Sequence, residues 1–370
     1  MNHRPALDGL RGIAIGLVFL VHATGVLDPA TPLEWFVVRS TGVGWVGVDL
    51  FFVISGFLIT GILLDSRDKP ARWRNFFARR VLRIFPLYYG VLVGLFIILP
   101  RVWSHPELAQ LQADQAWFWG YAVNFLELLH PASWPPLSVG HLWSLAIEEQ
   151  FYLAWPPIVW ACRPRTLLRL VATIMGVGLL CRIWFAAADP FGTSWASYLF
   201  TPTHLDGLMV GAALAVAERS ETGRAWVRRW APAALGWCGA ALVVLAVVRG
   251  GLRGNDWAMA VVGFPLVAGF FGALLVAALD PGRVATICEH RVLRWVGKYS
   301  YGLYVFHFPV ISALARKGPW STGMRLADLV PFIAVAAALS CLIAWVSYNG
   351  YEKHFLALKR HFVSAARTRQ

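Results

Sequence analysis

Ten long apolar runs fill this chain, at about residues 10–28, 45–64, 82–100, 141–161, 167–187, 203–218, 231–249, 257–279, 299–316 and 327–349. A helix needs ~20 apolar residues to cross a hydrocarbon core of ~30 Å, and inside lipid every backbone N–H and C=O must be paired within the segment. The pattern therefore predicts an all-α, polytopic membrane protein with about ten transmembrane helices. A mean hydropathy of +0.58 with only 14% charged residues agrees with that class. The first run has a basic start like a secretory signal. Asp8, Arg11 and His22 interrupt it and no small-residue cleavage site follows, so it reads as a retained helix.

The net charge of +13 would fit a nucleic-acid binder if the cations were clustered in a soluble domain. They are not. With the amino terminus placed inside, most of the 33 Lys and Arg fall in the cytoplasmic segments, which is the positive-inside asymmetry and puts both termini in the cytoplasm. The expected organisation is one membrane-embedded domain over residues 1–352 and a short basic tail over 353–370, with no soluble carboxy-terminal domain. The cysteines Cys162, Cys181, Cys238, Cys288 and Cys341 have neither CxxC spacing nor an even external set, so no disulfide framework and no metal site is expected.

Ionisable residues inside the apolar runs carry the functional signal, because each costs free energy unless it faces a cavity or a partner. In the stretch Leu7 to His22, Arg11 and His22 lie eleven residues apart, within about 20° of one helix face and about 16 Å along the axis. This places a cation near the membrane surface, beside Asp8, and an imidazole near mid-bilayer. In the second run Ser55 is expected at the depth of His22. Asp49, nearer the outside, either orients a ring nitrogen or caps a helix start.

Between Asp65 and Arg83 lies the densest charge cluster. Arg79, Arg80 and Arg83 stand at i, i+1 and i+4, a helical corner whose donor forks suit phosphate oxygens; the same residues would also serve as a topology signal attracted to anionic lipid. The external connection Arg101 to Gly140 holds Trp103, His105, Trp117, Trp119, Tyr121, His130 and Trp134, either an interfacial belt or a stacking platform for an acceptor ring. The fourth run opens with His141, Ser144 and Glu148 at i, i+3 and i+7, one polar stripe, with Glu149 beside it needing an Arg or a hydroxyl. Thr203, His204 and Asp206 open the sixth run, and Tyr301 and His307 lie in the ninth.

Six stretches in order, LDGLRGIAIGLVFLVH, GVDLFFVISGFLIT, RRVLRIFPLYY, HLWSLAIEEQFYL, HLDGLMVGAALA and KYSYGLYVFHFPV, resemble the acyltransferase-3 family of bacterial integral membrane O-acyltransferases. The resemblance implies transfer of an acyl group, commonly acetyl from acetyl-CoA, to a hydroxyl of an extracytoplasmic glycan, lipid-linked saccharide or related acceptor, in the inner (plasma) membrane. It places the family pattern on Arg11 and His22, on Arg79, Arg80 and Arg83, and on Glu148 with its neighbours. His22 would be the base or a transient acyl carrier, acyl-CoA would be held at Arg11 and the arginine corner, and Asp8, Asp49, Ser55, His141, Ser144, Glu149, Asp206, Tyr301 and His307 would support donor or acceptor. Two departures stand out. His204 occupies the place two before Asp206 where relatives often carry arginine, and the ending Glu352-Lys353-His354-Phe355 replaces the more usual acid-x-proline. The competing reading is a proton-coupled exporter or flippase of a saccharide precursor, with His22, Glu148 and His307 as a proton relay.

Overall fold

The computed structural model describes residues 4–130, 138–189, 195–317, 319–321 and 324–362. Each apolar run contains a helix: α1 (Pro5–Thr24), α2 (Gly47–Asp65), α3 (Arg72–Val93), α4 (Trp143–Ala161), α5 (Pro164–Ala188), α6 (Asp206–Ala217), α7 (Glu221–Arg249), α8 (Phe264–Leu279), α9 (Ser300–Lys317) and α10 (Leu326–Ser347). Among the described residues there is no strand. Seven helical stretches among the described residues are long and apolar enough to cross a membrane by length and composition. The helices α4, α6 and α9 fall outside that group. The short α6 has 12 residues, and α4 and α9 are diluted by the polar side chains that build the site described below.

The layers follow from burial. The stretch Pro32–Asp65, which ends in α2, has 78% of its most apolar window buried inside the protein, whereas α7 has 6%. A helix apolar all round belongs at the centre of a bundle, and one whose apolar residues point outward belongs against lipid. On α7, Trp237, Val243, Val247 and Val248 are exposed and supply such a surface. The central α2 packs closely on α6 through small residues, as membrane helices do when backbones must approach. A Cβ at Gly56 would lie 2.0 Å from the Leu208 carbonyl oxygen, and one at Gly211 would lie 2.1 Å from the Val53 carbonyl oxygen. Gly211→Val is therefore expected to force α2 and α6 apart and lower the thermal midpoint of the detergent-solubilised protein, since overpacking costs about 1–3 kcal/mol. An unchanged midpoint would show that the two helices tolerate wider spacing.

Helix boundaries correct the expected depth of His22. Pro5 starts α1 at its first turn and Gly25 caps it, so the helix begins and ends earlier than the apolar run 10–28. His22 stands in the last turn rather than halfway, and Ser55, in the middle of α2, is not level with it. The reason is local. Asp8 in the first turn and Arg11 in the second give the start of the helix a polar face, while Asp28 and Pro29 lie beyond the cap.

Candidate active site

A cavity of about 650 Å³ runs beside α2, from Asp65 and Ser66 at one end of that helix to Val48 and Phe51 at the other. That volume is in the range of pockets that take a small-molecule ligand. At the first end it is lined by Arg4, Asp8 and Arg11 of the α1 entry, by Lys69, Arg72, Arg79, Arg80 and Arg83 on the approach to and face of α3, and by Lys359 and Phe362 from the carboxy-terminal segment. The expected arginine corner is thus brought to one surface together with Arg11, which holds Asp8 at 2.9 Å. Among the described residues, Arg79, Arg80, Arg83 and Lys359 have no carboxylate within ion-pair distance. Instead, Arg80 lies 5.8 Å from the Tyr152 ring centroid and 5.9 Å from that of Phe76. Cations that outnumber the carboxylates around them in a cleft favour an anionic ligand.

The cavity is also lined by α4. The Ser55 hydroxyl donates to Glu148 Oε1 at 2.6 Å, and Glu149 lines the cavity as well, with its buried Oε1 lacking any partner. Glu149, expected off the stripe that carries Glu148, therefore lines the same cavity as Glu148. Tyr301 lines it too, held by its hydroxyl donating to the Ile84 carbonyl at 2.8 Å. At the far end Ser144 Oγ lies 2.5 Å from Tyr304 Oη, and the Tyr304 hydroxyl donates to the His141 carbonyl at 2.7 Å. Ser144 and Tyr304 line the cavity at this end together with Val48 and Phe51 of α2.

Behind them sit three histidines that do not line the cavity. The His22 ring stacks on Phe308, with centroids 4.1 Å apart, and its Nδ1 lies 2.9 Å from His307 Nε2. His141 precedes α4 in the 3₁₀ turn Gly140–Leu142 and its Nε2 lies 2.9 Å from the Tyr304 carbonyl. The expected Arg11 to His22 face thus spans two compartments: Arg11 opens on the cavity, and His22 lies beyond the Ser144–Tyr304 contact.

Two expected site residues do not reach this space. Asp49 accepts from His204 Nε2 at 3.1 Å, so of its two readings the ring contact holds, but the ring is that of His204 and no side-chain cap is made. Asp206 is held by Arg182, a fully buried side chain of α5 that also donates to the Thr203 carbonyl at 2.5 Å. These pairs tie α2, α5 and α6 together behind the cavity. Removing one partner from a buried pair leaves an uncompensated charge, so they read as structural.

Polar lining residues that the sequence alone does not single out include Lys359, Tyr304 and Tyr152. Lys359 lies in a basic tail that carries no motif, Tyr304 is one tyrosine among several in its motif, and Tyr152 follows the acidic pair. Arg182 did carry a signal, an arginine deep inside the apolar run 167–187, well past Arg169 near its start. In the external connection, Phe118 and Tyr121 are buried, and the Tyr121 ring stacks on Tyr88 with centroids 4.1 Å apart. These two rings belong to the packed interior. Trp103 stacks on His105 nearer the surface, and Trp134 lies outside the described residues.

A helical membrane bundle with one cationic, carboxylate-bearing cleft ending at a histidine cluster is the class of protein that this geometry defines. The acyltransferase-3 family, described as an acyltransferase domain, matches residues 4–349, and the chain belongs to it. Among curated relatives, the peptidoglycan O-acetyltransferase OatA of Listeria monocytogenes is 29% identical over 377 residues, covering 96% of this chain and 57% of that protein. The putative peptidoglycan O-acetyltransferase YrhL of Bacillus subtilis is 29% identical over 385 residues, covering 95% of this chain and 55% of that protein. A putative O-acetyltransferase of Staphylococcus aureus is 29% identical over 379 residues, covering 96% of this chain and 58% of that protein. The chain thus spans a little over half the length of these relatives. No solved structure matches it.

Proposed function

We propose that this chain is a membrane O-acyltransferase that moves an acyl group, most simply acetyl, from acyl-CoA to a hydroxyl of an extracytoplasmic glycan or lipid-linked saccharide. The observation that carries this reading is the cavity itself, unpaired Arg79, Arg80, Arg83 and Lys359 at one end and the Ser144–Tyr304 contact with its histidine cluster at the other. Guanidinium forks and an ammonium suit the phosphates of a nucleotide donor. In this reading the donor's arm follows α2 past Glu148, and the Tyr304 side chain must move for the thioester to meet His22. There the acceptor oxygen attacks the thioester carbonyl carbon, the C–S bond breaks, and His22 takes the hydroxyl proton and returns it to the departing thiolate. The names of the relatives support an acetyl group and a cell-wall glycan acceptor. The test is incubation of the purified protein in vesicles with radiolabelled acetyl-CoA and a cell-envelope extract. Label is expected in glycan. Label that stays in the donor pool while glycan crosses the vesicle membrane would favour the exporter.

Sidedness separates this mechanism from a cytoplasmic acyltransferase. With both termini in the cytoplasm, the cavity mouth opens inward and the segment after α3 faces out. Single cysteines at Ser104 and Ser66 in a cysteine-free background should react differently with an impermeant maleimide in intact cells, only the first becoming labelled. Labelling at position 66 from outside would invert the topology and end the transmembrane mechanism.

A further inference from the structure

The three buried imidazoles form a compact group, with ring centroids 5.0 Å apart for His22 and His307, 5.3 Å for His141 and His307, and 6.4 Å for His22 and His141. Their neighbours fix where the protons are. His307 Nδ1 lies 2.8 Å from the Tyr304 carbonyl oxygen and 3.0 Å from that of Leu303. A carbonyl oxygen only accepts, so Nδ1 carries a hydrogen; in a neutral imidazole the other nitrogen is then an acceptor. That acceptor, His307 Nε2, is the atom 2.9 Å from His22 Nδ1. The His22 Nδ1 must therefore be the donor, and its lone pair is left on Nε2.

We propose that His307 is the positioning residue that holds His22 in the Nδ1–H tautomer, making Nε2 the nitrogen that does the chemistry. The role is one that a carboxylate commonly plays beside a working histidine, orienting the ring and fixing its tautomer. Here a neutral imidazole fills it. Among the described residues no carboxylate contacts either ring, and the orientation comes instead from backbone carbonyls of α9 acting through His307. Phe308 lies flat against the His22 ring and restricts its rotation. The His307 side chain is fully buried, so its own geometry is fixed by packing. This assignment rests on His22 being the group that takes the acceptor proton. The step balances on one atom: Nε2 accepts the hydroxyl proton as the oxygen–acyl bond forms, and it releases that proton to the thiolate as the C–S bond breaks. Throughout, Nδ1–H stays bonded to His307.

Nitrogen-15 NMR on histidine-labelled wild-type protein in detergent reads the tautomer directly, the His22 signals being those missing from His22→Ala. A protonated Nδ1 and an unprotonated Nε2 are expected; the opposite tautomer would overturn the proposal without any variant being made. In His307→Leu the preference should be lost and kcat should fall about 10²-fold, with KM for acetyl-CoA unchanged. His307→Gln, whose amide oxygen accepts from Nδ1, should recover most of that loss. Unchanged kcat in His307→Leu, or Gln no better than Leu in a protein that still binds donor, would reduce His307 to a packing residue. A His22→Ala enzyme that remains active while wild type shows the Nδ1–H tautomer would instead remove the base from His22 and take the proposal with it.

Discussion

Alanine in place of His22 is expected to lower acyl transfer about 10²- to 10⁴-fold, the range that a positioned general base contributes. Donor affinity should be unchanged, because His22 does not line the cavity that would hold the phosphates. The ring's contacts include a hydrogen bond to His307, a stack on Phe308 and the Val18 carbonyl one turn back in α1. Its removal leaves a small gap in the last turn of α1, and the protein should remain folded and membrane-inserted. Transfer within about tenfold of wild type, measured with labelled acetyl-CoA, would take His22 out of the chemistry and leave His141, whose buried Nδ1 has no partner, as the imidazole to test next.

At the opposite end, Arg83→Ala is expected to weaken binding of a non-hydrolysable acetyl-CoA analogue about tenfold to a hundredfold, since a charged hydrogen bond contributes about 1.5–3 kcal/mol. Lys359→Ala should act in the same direction with a smaller loss, an ammonium being a single point of charge where a guanidinium offers a fork. Both losses should shrink as salt rises, because the contacts are electrostatic and the mouth is open to solvent. Isothermal titration measures both. Unchanged affinity in the two variants would return the basic corner to its other reading, a topology signal at the membrane surface.

How much of this was legible in the residues depended on how local each feature is. The helices were, because an apolar run of about 20 residues is its own evidence. The cluster Arg79, Arg80 and Arg83 was, because a single helical turn brings the three together. Ser55 and Glu148 each carried a signal, yet their meeting at 2.6 Å depends on how α2 packs on α4, and no spacing along the chain encodes that. The pairing of His22 with His307 across the bundle is of the same kind. Asp49 and Asp206 show the converse. Each is an acid in an apolar helix, and each is held by a partner, His204 or Arg182, that the sequence does not place beside it. An intramembrane charge indicates that a partner or cavity exists; only the packing distinguishes the two.

The hydroxyl contact between Ser144 and Tyr304 has a consequence for the cell as well as for the reaction. A continuous watery path from the arginine mouth past His22 would let protons run down the membrane potential, each worth about 2.3 kcal/mol per 100 mV. In the proposed mechanism, the Ser144–Tyr304 contact between α4 and α9 would interrupt such a path. Under that mechanism the cargo would be only a few atoms long, and a tyrosine swinging aside would be a far smaller opening than the alternating halves of a carrier.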